Sequence, residues 1–287
     1  VFGQSGFAPQ GGEYPISGSL PGDQVQPAVG LNAAGGYIVW EDNVTDGSGQ
    51  GISARRINGS LSGSLNVFRV NSIGAGDQEK PKVVVLDDGG AVFVWQGGPN
   101  GAQQIYAQFY SPVGTSLTTN DVLVNSIAST NRNHLDASVA KLSGGNVIIV
   151  WSSKDEDGSL QGVFGQLFSP AGVKLGGQFQ INQTTPLNQR TPVVAGLSDG
   201  NFVVAWVSET KISDLSYDVS IFARRFNSGG SQLGGEFKAS TGTNVCANPS
   251  VAASSGGGFL VAWGEKDISV TDNSWDIFGR KFSNSGT

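Results

Sequence analysis

The sequence predicts an all-β protein, a five-bladed β-propeller of four-stranded antiparallel blades. Three observations carry this. Tryptophans recur at 40, 95, 151, 206 and 263, separated by 55, 56, 55 and 57 residues. Each closes an apolar run that follows a Gly-rich turn, as in "GGYIVW", "GGAVFVW", "GGNVIIVW", "DGNFVVAW" and "GGFLVAW". Glycine is abundant (43 of 287 residues), Met is absent, and no long apolar helical periodicity appears, which suits short strands joined by tight turns. Internal repetition at this period overrides the two-domain prior that length alone suggests.

Each unit supplies four strands, named a to d from the axis outward. Strand a is short and rich in small residues and Val: "QPAVGL", "KPKVVVL", "DASVAKL", "TPVVAGL", "NPSVAAS". Strand b carries the Trp and is apolar on both faces, as expected of a strand held between neighbouring blades. Strand c reads "GISARRI", "QIYAQFY", "GVFGQLF", "SIFARRF", "DIFGRKF", with a small residue at 54, 107, 165, 223 and 279 where a neighbouring blade must come close. Strand d reads "NVFRVN", "DVLVN", "FQIN" and "EFKAS". The repeats run approximately 24–71, 78–125, 134–182, 189–240 and 246–287.

The fifth unit ends after strand c. The stretch "GGEYPIS" (11–17) has the form of "GGQFQIN" and "GGEFKAS", so the expectation is that an N-terminal d strand completes the C-terminal blade and closes the ring, removing two exposed sheet edges. The start at Val1 and the c-like "VFGQ" at 1–4 read as the mark of a processed chain, or of one cut from a longer array.

A formal charge of −6 without clustered Lys or Arg argues against a nucleic-acid surface. No stretch is long and apolar enough for a membrane helix. The single cysteine, Cys246, builds neither a disulfide nor a thiolate metal site within one chain and reads as a buried thiol.

The consensus of the unit, "DQ..P.V..L..GG.V..W" followed by "DGS..G.F.Q.F" and "LGG.F.VN", resembles repeats of very large secreted bacterial surface proteins and adhesins. The five-blade count is similar, in architecture only, to tachylectin-type lectin propellers. The resemblance implies an extracellular or cell-surface location and a glycan or protein partner, with assembly alongside other copies or modules.

Candidate site residues fall on the face that bears the long b–c loops. One column at the start of strand a, Gln24, Gln78, His134 and Gln189, offers polar side chains to a hydroxyl-rich ligand, or caps the d–a turns. In the fifth loop, Trp275 with Asp272 and Asp276 departs from the repeat and is the best single contact candidate. Asp155 and Asp157 in the third loop superficially suggest calcium, but no EF-hand spacing is present and a solvated acidic turn explains them. The Trp column reads as core, and the c-strand column Arg55, Gln108, Gln166, Arg224 and Arg280 as inter-blade hydrogen bonding. Sequons occur at Asn43, Asn58 and Asn182. Strands a hold no acid except Asp136, which argues against glycoside hydrolysis, and no catalytic triad is assembled. The sequence therefore predicts a non-enzymatic binding module without a required cofactor, or alternatively a purely structural module of a surface layer, filament or adhesin.

Overall fold

The computed structural model describes residues 12–61, 66–126, 132–214, 216–267 and 274–287. It is all-β, with five antiparallel sheets arranged as the blades of a β-propeller. Blade one holds β1 (Gln24–Asn32), β2 (Gly35–Asp42), β3 (Gly51–Asn58) and β4 (Val67–Arg69). Blade two holds β5 (Gln78–Val85), β6 (Ala91–Gly97), β7 (Gln104–Tyr110) and β8 (Val122–Leu123). Blade three holds β9 (His134–Lys141), β10 (Val147–Lys154), β11 (Gln161–Phe168) and β12 (Lys174–Gln180). Blade four holds β13 (Gln189–Gly196), β14 (Phe202–Ser213), β15 (Ser216–Phe226) and β16 (Phe237–Lys238). Blade five holds β17 (Val245–Ala253), β18 (Phe259–Lys266) and β19 (Asp276–Phe282). In every sheet the strands lie in chain order from the axis outward.

The b strands explain why the blades stack. In β6, Phe93 and Trp95 join Tyr37 and Val39 of blade one, while Val92 and Val94 join Val147, Ile149 and Trp151 of blade three. Alternation along β14 does the same: Phe202, Val204 and Trp206 face blade three, and Val203, Ala205 and Val207 face blade five. A strand buried on both faces must be apolar at every position, which is the run visible in the sequence. Trp95, Trp151 and Trp206 are fully buried in these seams. Burying each such side chain is worth about 1.5–3 kcal/mol or more.

Polar side chains finish the blade. The last residue of each d segment caps strand c: Asn71 Oδ1 accepts from Ile52 N, Asn125 Oδ1 from Ile105 N, Asn182 Oδ1 from Val163 N and Ser240 Oγ from Ile221 N. These acceptors satisfy donors that a short outer strand leaves free. Asn182, the acceptor of one sequon, is therefore buried. The a–b turns of blades two to five each place a Gly in the left-handed region, Gly89, Gly145, Gly200 and Gly257 at φ +87 to +98°. A hydrogen bond from that Gly N to the residue three earlier closes each turn.

The fifth sheet has three strands, and residues 12–17 form no strand; Gly11 of the expected closing strand lies outside the described residues. On β19, Ile277 is 82% exposed. Residues 12–17 reach blade one, where Ile16 O accepts from Arg55 Nη1 at 2.6 Å and Tyr14 Oη donates to Leu61 O.

Candidate functional site in the axial funnel

Every a strand breaks register with its b strand near its start: between Val25 and Ala28, Glu79 and Lys82, Leu135 and Ser138, Arg190 and Val193, and Ala247 and Ser250. At each break one residue turns left-handed: Gln26, Lys80, Asp136, Thr191 and Asn248, all at φ +51 to +54°. A β-bulge of this kind re-aims a side chain, and non-Gly residues held there cost about 1–3 kcal/mol each. Pro27, Pro81, Pro192 and Pro249 follow four of the five, at positions where no ladder donor is lost. The five bulged residues line one cavity of about 270 Å³ together with Lys82, Ser138 and Val193. Since they come from all five blades, this cavity is the axial funnel.

The bulge orphans a backbone N–H, and in two blades the neighbouring b strand supplies the acceptor. Glu41, next to Trp40, accepts from Lys80 N through Oε1, and Gln96, next to Trp95, accepts from Asp136 N at 3.1 Å. Lys80 Nζ pairs with Asp136 Oδ1 at 2.8 Å. Glu79 Oε2 accepts from Gln96 and Gln103 at 3.1 and 2.8 Å. Burial pushes the Glu41 carboxyl above the usual carboxylate range; the hydrogen bond from Lys80 N opposes that, and the nearby Glu79 charge reinforces it. Two carboxyl groups thus flank Lys80, Glu41 at its backbone nitrogen and Asp136 at its amine.

The residues expected to bind ligand are placed elsewhere. Gln24, Gln78 and Gln189 turn back on the d–a turns: Gln24 Nε2 donates to Pro21 O and Gly22 O, Gln78 Nε2 to Ala75 O and Gly76 O, and Gln189 Nε2 to Pro186 O. Asn71 and Asn182 donate to the other side of Gln78 and Gln189. His134 is fully buried, with Nδ1 3.3 Å from Gln103 O and Nε2 3.5 Å from Glu156 Oε2. Trp275 is 50% exposed and its indole lies over Gly264, while Asp276 opens β19 on the surface. Asp272 lies outside the described residues.

Asp157 accepts from Ser159 N and Asn182 Nδ2, and Asp155 is a left-handed turn residue whose N donates to Leu160 O. Among the described residues no group of three or more His, Cys, Asp or Glu is arranged to hold a metal ion. The c-strand arginines bridge blades: Arg224 Nη1 donates to Ile181 O and Arg280 Nη1 to Ala239 O. Gln108 and Gln166 bond within their own blades, to Asp121 and to Gly176 O. Sequence reasoning missed the bulge column, Glu41 and Lys82. The signal available was the aligned column two residues beyond Gln24, Gln78, His134 and Gln189, marked by the proline that follows it.

No family model matches the sequence, and no curated protein does. Solved structures share the fold. A protein of unknown function from Dyadobacter fermentans superposes with a TM-score of 0.59 at 12% identity, over 93% of this chain and 85% of that one. A mutant α-L-arabinofuranosidase from Fusarium graminearum, in complex with an iminosugar inhibitor, gives 0.55 at 15% identity, over 91% and 77%. A thermostable family-43 glycoside hydrolase gives 0.52 at 14% identity, over 91% of each chain.

At such identities the likeness establishes the propeller fold. It also corrects the expectation of a non-enzymatic binding or structural module, because the solved chains sharing this scaffold include glycoside hydrolases. The physical reason lies at the funnel. Counting acids along the a strands overlooks a carboxyl that a b strand carries to the bulge of the following blade, as Glu41 is brought to Lys80.

Proposed function

We propose that this chain cleaves glycosidic bonds at the axial funnel, with Glu41 donating a proton to the leaving oxygen and Asp136 as the partner carboxylate. The observation that carries this reading is the pair of carboxyl groups flanking Lys80, with unlike surroundings. Glycoside hydrolysis needs one carboxyl that holds its proton and one that does not. Burial raises Glu41, and the ammonium of Lys80 sits 2.8 Å from Asp136. The enzymes among the solved propellers that share the fold act on such bonds.

The test is turnover of a panel of aryl glycosides, α-L-arabinofuranosides included, by the protein and by its Glu41→Gln and Asp136→Asn variants. The expected outcome is activity on at least one member, lowered at least 100-fold in either variant. Glu41→Gln keeps the acceptor for Lys80 N and removes a carboxylate that burial disfavours, so its Tm at pH 7 is expected to hold or rise. A fall in activity at unchanged stability then reports chemistry. Inactivity over the whole panel, or activity indifferent to both substitutions, defeats the reading.

The funnel needs a ring to enclose it, and residues 11–17 are proposed to complete the fifth blade as its d strand. Support comes from one repeated contact. Ile181 and Ala239, the penultimate residues of the d segments of blades three and four, accept from the c-strand arginine of the next blade. Ile16 is the penultimate residue of "GGEYPIS" and accepts from the corresponding arginine of blade one.

A further inference from the structure

We infer that the glycan this funnel takes carries a carboxylate, a uronic acid, and that Lys82 binds it. The inference rests on the glycosidase reading above and deepens it. The chain as a whole bears a formal charge of −6, yet the funnel wall presents two cations, Lys80 and Lys82, against a single acid, Asp136. Lys80 is already committed, its amine paired with Asp136 at 2.8 Å. Lys82 is exposed on the funnel wall and makes no ion pair among the described residues.

Its position in the strand explains why it reaches the cavity. Lys80 sits at the register break of β5 and Lys82 is the first residue past it to pair with β6, and both line the cavity. The residues lining the cavity beside it, Ser138, Pro192 and Val193, are neutral. The acids beside Lys80, Glu41 and Glu79, are engaged elsewhere, Glu41 with Lys80 N and Glu79 with Gln96 and Gln103. A cation in a concave site whose one acid is already paired attracts an anionic group from the ligand, since the walls focus its field. A sugar carboxylate fits that demand while the rest of the ring meets the neutral donors and acceptors of Gln26, Ser138 and Asn248.

The experiment is isothermal titration of trigalacturonate and of neutral galactotriose into the protein and into its Lys82→Met and Lys82→Arg variants, at low and high salt. The expected result is a preference of at least about tenfold for the uronate, weakened by salt, abolished in Lys82→Met and retained in Lys82→Arg. Lys82→Met keeps the aliphatic stem, and an unchanged Tm excludes a folding defect. Equal affinity for the two sugars, or a preference that survives Lys82→Met, overturns the inference. If a sulfated galactotriose binds as tightly as the uronate, the carboxylate assignment is overturned as well. These failures are distinct from failure of the glycosidase reading: neutral aryl glycosides cleaved in a Glu41-dependent way leave that reading standing, and inactivity over the whole aryl-glycoside panel removes it.

Discussion

Arg55 Nη1 and Ile16 O are 2.6 Å apart, joining strand c of blade one to a segment 39 residues upstream. The same contact joins Arg224 to Ile181 at 3.1 Å and Arg280 to Ala239 at 3.4 Å, each time across a blade boundary. A guanidinium lowered in pKa by burial, as at Arg224, has lost water and depends on such carbonyls.

Removal of this contact is expected to free the N-terminal segment. Hydrogen bonds to a charged group are worth about 1.5–3 kcal/mol, and each kcal/mol corresponds to about 2–4 °C in Tm for a chain of this size class. Arg55→Met should therefore lower Tm by several degrees and abolish protection of residues 12–17 from limited proteolysis. Protection that persists in the variant would show that the segment is held by something else.

The bulge ring offers a prediction of the opposite sign. Thr191 is β-branched at φ +51°, a conformation such residues rarely adopt, and its buried Oγ1 has no hydrogen-bond partner. Thr191→Gly relieves the backbone strain and removes the desolvated hydroxyl. The gain is partly offset by the greater unfolded-state entropy of glycine, about 0.5–1 kcal/mol. A net stabilisation of about 1 kcal/mol is expected, read as a Tm rise of about 2–4 °C. A lower Tm would mean that the Thr191 side chain contributes more packing than its backbone costs.

What was legible in the sequence follows from two-sided burial. Trp95 and Trp206 sit in seams where both strand faces are covered, so their strands are continuous apolar runs and announce themselves. The funnel chemistry was not legible for a related reason. Lys80 and Asp136 lie 56 residues apart, one repeat, and occupy the same column, but only the register break shows that this column faces the axis. The adjacent column, with Gln78 and Gln189, attracted attention because its amides suggest ligand chemistry; they are instead spent on turn carbonyls. The contact between Glu41 and Lys80 was not legible because Glu41 belongs to strand b of one blade and serves the bulge of the next, a relation that no single repeat contains.

The buried pair behind the third loop supplies the pH dependence. Glu156 has a side chain only 5% exposed, its Oε1 accepts from Gln178 Nε2, and its Oε2 lies 3.5 Å from His134 Nε2. Burial alone would raise its pKa, but the hydrogen bond from Gln178 and the close approach of the His134 and Ser153 side chains outweigh burial and leave it below the usual value. A carboxyl depressed in the folded state contributes stability above its unfolded pKa, about 4.3, and that stability is lost as pH falls through the lower folded value. Glu156→Gln cannot titrate, so it should be less stable than the parent at pH 7, and the two should converge as pH falls below about 4. Urea midpoints from pH 7 down to pH 3 measure this directly. Asp42, whose carboxyl is likewise held low by Thr45, Val44 and Ser53 against the pull of burial, titrates in both proteins and cancels in the comparison. Curves that run parallel over the whole range would mean that the Glu156 carboxylate has no net favourable interaction in the folded protein.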